Sequence, residues 1–99
     1  MKSDYQQLRD KINQLKTQVR EDPKACFLYA LSLYRDGKKQ GAEDWAIALA
    51  EYFCEPEGER QWEATVSDAS ITSRADPFSF KDFKDKLENI LDVLRKFMP

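Results

Sequence analysis

Residues 22–54 read DPKACFLYALSLYRDGKKQGAEDWAIALAEYFC, and this stretch decides the fold. Asp22 offers an N-cap and Pro23 the first helical position, where a missing amide costs nothing. The run Ala25 to Tyr34 is apolar almost all round, which predicts a helix at the buried centre of the domain. Asp36-Gly37 ends it, because glycine takes the left-handed conformation that closes a helix. After the Lys38-Lys39 turn, a further helix is expected from about Gly41 to Cys54. Its inner face is Ala42, Trp45, Ala46, Leu49 and Phe53, flanked by Ala48 and Tyr52. So short a connection predicts an antiparallel hairpin, centred near Lys39. In that register Cys26 lies across from about Tyr52, and Cys54 is close by. The two thiols then either pair or sit as small buried hydrophobes, and a reducing compartment favours the second.

Outward from the hairpin, both ends of the chain are helical. Ser3 and Gln6 have the spacing of a capping box, and Tyr5, Leu8, Ile12, Leu15 and Val19 step by three and four along one seam. Glu21-Asp22-Pro23 stops this first helix. At the other end, Phe80, Phe83, Leu87, Ile90, Leu94 and Phe97 form a second seam, widened by Leu91, Val93 and Met98. Phe78 and Phe83 flank Ser79 as in a hydrophobic staple, with Asp76-Pro77 as a competing start. Between these, Glu55-Pro56-Glu57-Gly58-Glu59 reads as an acidic turn. The serines and threonines after Val66 compete for backbone hydrogen bonds, so residues 59–76 are expected as a short helix and then a loop. The fold class that follows is all-α: one domain over residues 1–99, a compact bundle of four to five helices around a central antiparallel helical hairpin.

Composition narrows the chemistry. The 99 residues include no histidine and only two cysteines. The commonest general acid–base and metal ligand is thus missing, and a Cys/His zinc site of four ligands cannot form. No glycine-rich phosphate loop or nucleophile elbow occurs. The expectation is a protein without catalytic residues, cofactor or metal. No apolar run is long enough for a membrane span and the N-terminus has no signal-like core, so a cytoplasmic protein is expected.

Charge is distributed unevenly. Residues 1–40 carry nine basic and five acidic groups, net +4, whereas residues 41–76 carry two basic and nine acidic, net −7. Glu43, Asp44, Glu51, Glu55, Glu57, Glu59 and Glu63, with Trp62 as an aromatic anchor, are the candidate partner-binding surface. Arg9, Lys16 and Arg20 on one helix face, with Lys38 and Lys39 in a turn, form a secondary basic patch. A sequence pI near 5.2 is far below that of a dedicated nucleic-acid binder, so that partner class is disfavoured.

Heptad seams also raise a coiled coil. Lys2, Arg9 and Lys16 line one flank of the first seam, and an antiparallel pair of copies would oppose these like charges. Packing inside one bundle is the favoured reading; a homodimer through the exposed side of the first helix is the alternative. Ala30, Gly37 and Ala42 fall at small-residue positions of a tetratricopeptide hairpin. Cys26 occupies the signature tryptophan position, Ala46 stands where an aromatic is usual, and no second copy follows, so no family is assigned. The functional expectation is a small helical protein–protein interaction module: an adaptor, assembly subunit or regulator. The alternatives are an acidic inhibitor of antitoxin, immunity or phage-encoded type that blocks a basic or nucleic-acid-binding site, and a weak nucleic-acid binder.

Overall fold

The computed structural model describes residues 2–97 and consists of α1 (Asp4–Glu21), α2 (Pro23–Arg35), α3 (Lys39–Cys54), α4 (Pro56–Thr72) and α5 (Pro77–Phe97). Among the described residues there is no strand, and the architecture is an all-α bundle. Met98, assigned above to the last seam, lies outside the described residues.

The helix at the centre is α3. It packs against each of the other four and buries Ala42, Ala46, Ala48, Leu49, Ala50, Tyr52 and Phe53. The sequence reading places α2 at the centre, but there Tyr29 stands 53% exposed. The reason is size: alanines spread around α3 let neighbouring helices approach from every side, whereas the bulky residues of α2 fill space on fewer faces. The core completes itself with Phe27 of α2 against Phe83 of α5, ring centroids 5.4 Å apart and edge-to-face.

Helices α2 and α3 form the expected antiparallel hairpin, in a shifted register. Tyr29 packs on Trp45, and Gly41 faces Leu33, so the hairpin is centred on Gly37, which takes a positive φ of 75°. Cys26 therefore lies across from about Ala48, well short of Cys54, and both thiols are free.

Local signals at the helix ends are partly as read. Ser3 caps α1 by accepting from the Gln6 amide, but the Gln6 side chain donates to Asp10 instead of closing the box. Asp22 caps α2 through the Ala25 amide. For α5 the competing start wins: Asp76 accepts from the Ser79 amide. That choice turns Phe78 outward, 81% exposed, so it makes no staple with the buried Phe83.

The largest departure from the sequence reading is α4. It runs unbroken to Thr72, well into the span expected as loop, and its N-terminus absorbs most of the supposed acidic turn. Pro56 sits at the first helical position, and Glu57 and Glu59 fall in the first turn, where the helix dipole favours carboxylates. Thr65 and Ala69 point inward and hold the helix to the bundle. Gly58 makes the sharp corner possible: a Cβ there would overlap the Tyr52 carbonyl oxygen and come within 2.8 Å of Phe53 Cα. Only hydrogen fits at that approach.

Candidate helix-docking groove

Two faces of the bundle carry the charges singled out in the sequence, and they differ in kind. On the first, α1 lies on α3 through Ile12 and Val19, both buried, with Leu15 partly so. Arg9 donates two hydrogen bonds to Glu51, at 2.9 and 2.6 Å. Lys16 bridges Glu51 at 3.4 Å and Glu55 at 3.0 Å, and Arg20 donates to Glu55 at 3.0 Å. The result is an alternating ladder: Arg9, Glu51, Lys16, Glu55, Arg20. Burial alone would raise the pKa of Glu51 and Glu55, but hydrogen bonds and positive charge from the three cations outweigh it and hold both below the ordinary glutamate value. Beside the ladder, Lys11 reaches Asp44 at 2.7 Å. Asp44 is only 2% exposed and also accepts from Gln40.

Asp44, Glu51 and Glu55 of the candidate acidic surface are thus engaged by the chain itself, as are Arg9, Lys16 and Arg20 of the basic patch. The structure brings the two halves of the charge map together as an internal fastening. The sequence signal for this was present, since basic residues flank the α1 seam and acidic ones recur along α3, but the pairing becomes visible only once the two helices are placed side by side. Lys38 and Lys39 are exposed at the start of α3, apart from the ladder. Lys39 and Glu43 line a hollow of about 310 Å³ with Tyr34 and Lys86.

The second face lies between α4 and α5, which touch only sparingly. An open groove of about 460 Å³ runs between them, lined by Trp62, Glu63, Val66 and Ile71 of α4 and by Phe80 and Lys84 of α5. Trp62 is half-buried, its ring edge-to-face with Phe53 at 4.9 Å, which fixes the indole as one wall. Ile71 is 65% exposed. Sequence reasoning found Trp62 and Glu63 but missed Val66, Ile71 and Phe80. The helical spacing of Trp62 and Val66 was a signal for the α4 wall, but a short helix followed by a loop leaves out Ile71, and Phe80 reads as part of the last seam.

The rim of the groove is asymmetric. Helix α4 carries Glu57, Glu59, Glu63 and Asp68 against a single cation, Arg60, net −3. Arg60 pairs with Glu57, and among the described residues Glu59 and Glu63 have no ion-pair partner. On the α5 side, Lys84 at the groove wall pairs with Glu88 of its own helix, and Lys81 pairs with Asp85.

The remaining reactive groups are quiet. Burial pushes the Cys26 thiol up, helped by the nearby carboxylates of Asp22 and Glu21. Burial also raises Cys54, against the opposing charge of Arg95. Among the described residues no cluster of three acidic or cysteine side chains is placed to hold a metal ion, and no helix is long and apolar enough to cross a membrane. No protein-family model matches this chain, and neither a curated protein nor a solved structure is similar to it.

Proposed function

We propose that this protein is a small helical protein–protein interaction module, an adaptor, assembly subunit or regulator, that works without catalysis and engages its partner through the groove between α4 and α5. The observation that carries this reading is the groove itself. On the α1–α3 face the apolar seam is buried at Ile12 and Val19 and Arg9, Lys16, Arg20, Glu51 and Glu55 pair with one another, whereas here Ile71 stands open in a groove it shares with Trp62 and Phe80. Open apolar surface framed by polar residues is the usual mark of a docking site. The two thiols are moved away from thiolate and the shifted glutamates away from general-acid range, so neither is poised for those roles. Free thiols agree with a reducing, cytoplasmic setting.

The acidic-inhibitor reading is favoured by the net −3 of α4 but rests on fewer residues than the sequence offered. Reversing Glu55 to lysine does not test it, because that change breaks the ladder to α1. The relevant acids are Glu59 and Glu63.

A photoreactive amino acid at position 71, introduced into the full chain in its native host, tests the interaction reading. The expected result is a discrete cross-linked partner from position 71 and none from position 14, on the outer side of α1. Cross-linking at position 14 alone sinks the reading.

A further inference from the structure

From the form and charge of the same groove we infer that its occupant is an amphipathic helix of a partner protein, with apolar anchors on one stripe and basic residues on the flank that faces α4. This rests on the docking reading above and adds the class of ligand.

The shape selects a helix. Trp62, Val66 and Ile71 follow one another along the axis of α4 over roughly 13 Å, given a rise of about 1.5 Å per residue. Two helices that touch sparingly leave a trough into which a third lies, its side-chain ridge entering the gap. Helix-in-groove recognition uses ligand anchors spaced by three and four residues, and the α4 wall offers a matching row at Trp62, Val66 and Ser70, one helical turn apart. An added β-strand is excluded as the binding mode, because it needs an open sheet edge and the described residues contain no strand.

The charge selects a basic flank. Glu63 stands at the groove wall, and Glu59 lies one turn earlier on the same helix; both lack an ion-pair partner among the described residues. Opposite them, Lys84 is held by Glu88 at 3.3 Å, so the α5 rim is close to neutral. A helix with acidic residues toward α4 meets like charge with no cation between, whereas lysine or arginine there meets two unpaired carboxylates. A second copy of this chain does not supply such a ligand. The seams of α1 and α5 are turned inward at Ile12, Val19, Phe83, Leu87 and Leu91 and open only at their outer ends, at Tyr5, Leu8 and Phe97, and the basic flank of α1 is taken up by Glu51 and Glu55.

The test uses the full-length protein and three synthetic peptides of about 18 residues, long enough to hold a helix. All share leucines at helical spacing in one stripe; their flanks are lysine, glutamate or glutamine. A fourth peptide is proline-rich and basic. Affinity is read from calorimetry and from the fluorescence of Trp62 in a Trp45→Phe background, and the binding surface from amide chemical-shift changes. The expected result is that the lysine peptide binds at least about tenfold more tightly than the glutamate peptide, with shifts confined to α4 and α5. That preference should shrink at high salt and disappear in the double variant Glu59→Lys, Glu63→Lys, while Asp92→Lys leaves it unchanged. Equal binding of the lysine, glutamate and glutamine peptides overturns the basic flank but keeps the groove as a helix site. Preference for the proline-rich peptide overturns the helix. Failure of all four to bind, or concentration-dependent self-association that shifts the groove residues without any peptide, overturns the inference; joined to an absent cross-link at position 71, it overturns the docking reading too.

Discussion

The α1–α3 face and the α4–α5 face are built from the same kinds of residue and end in opposite states. Each has a helical apolar stripe flanked by glutamates. On the first, Ile12 and Val19 are buried and Glu51 and Glu55 are bound by three cations. On the second, Ile71 is open and Glu59 and Glu63 are unpaired among the described residues. The difference lies in what the fold lays alongside: α3 receives the basic flank of α1, while α4 faces the stretch of α5 in which Lys81 and Lys84 are already paired at i+4. A charge map drawn along the chain cannot separate these cases, because it counts residues before the fold has spent some of them. Acidic residues near one another in sequence are therefore candidates for function only after their internal partners have been subtracted.

The severest way to break this comparison is at the corner that sets α4 against α3. Gly58→Ala drives a methyl into the Tyr52 carbonyl and toward Phe53 Cα, both backbone and unable to swing away. The expected loss is about 3 kcal/mol, near the upper end for overpacking. In a domain of this size that lowers the thermal midpoint by about 15 °C, read by circular dichroism. Gly41→Ala is the control. Its new methyl meets only the mobile end of Leu33 at 3.4 Å, so removing backbone freedom should stabilise the helix by about 0.5 kcal/mol. Equal effects at the two glycines would mean that α4 is not seated so closely.

Next in size is the ladder. Glu51→Ala removes two charge-assisted hydrogen bonds from Arg9 and one from Lys16, and the expected cost is about 2 kcal/mol. The same pairs fix the direction of the acid response. The pKa values of Glu51 and Glu55 are lowered on folding, so the unfolded chain takes up protons first as pH falls. Their stabilising contribution is complete above the ordinary glutamate value of 4.5 and is lost as pH drops from there through the lowered folded values. Denaturant unfolding between pH 7 and pH 3 should therefore show a steeper acid loss in the native protein than in Glu51→Gln. Parallel curves would show that the ladder contributes nothing.

Much of the bundle was legible in the sequence, for reasons that particular residues make plain. Asp22-Pro23, Asp36-Gly37 and the stepped seams are local signals, fixed by backbone chemistry within a few residues, and the structure follows them. What was not legible depends on neighbours distant in the chain. The serines and threonines after Val66 weaken a helix taken alone, yet burial of Thr65 and Ala69 against the bundle carries α4 on to Thr72. The central role of α3 was hidden for the same reason, since alanines look modest in a list of apolar residues and matter only when four helices crowd around them. Of the candidate site, Trp62, Glu59 and Glu63 were visible by residue type. Ile71 and Phe80 were not, because which flank of a helix stays open depends on how far its neighbour splays.

The smallest expected effect on stability is the most informative about function. Glu63→Lys removes no ion pair seen among the described residues, and Ile71→Glu trades one largely exposed side chain for another. Each should change unfolding free energy by less than about 0.5 kcal/mol, as surface positions generally do. If the α4–α5 face is a docking surface, both variants lose partner binding while keeping the thermal midpoint of the native protein. Glu51→Ala should do the converse, losing stability while the folded fraction still binds. That crossed pattern is what separates a surface consumed by the fold from one left open by it. Should Ile71→Glu destabilise the protein as much as Glu51→Ala, then Ile71 belongs to the core and the groove is closed in solution.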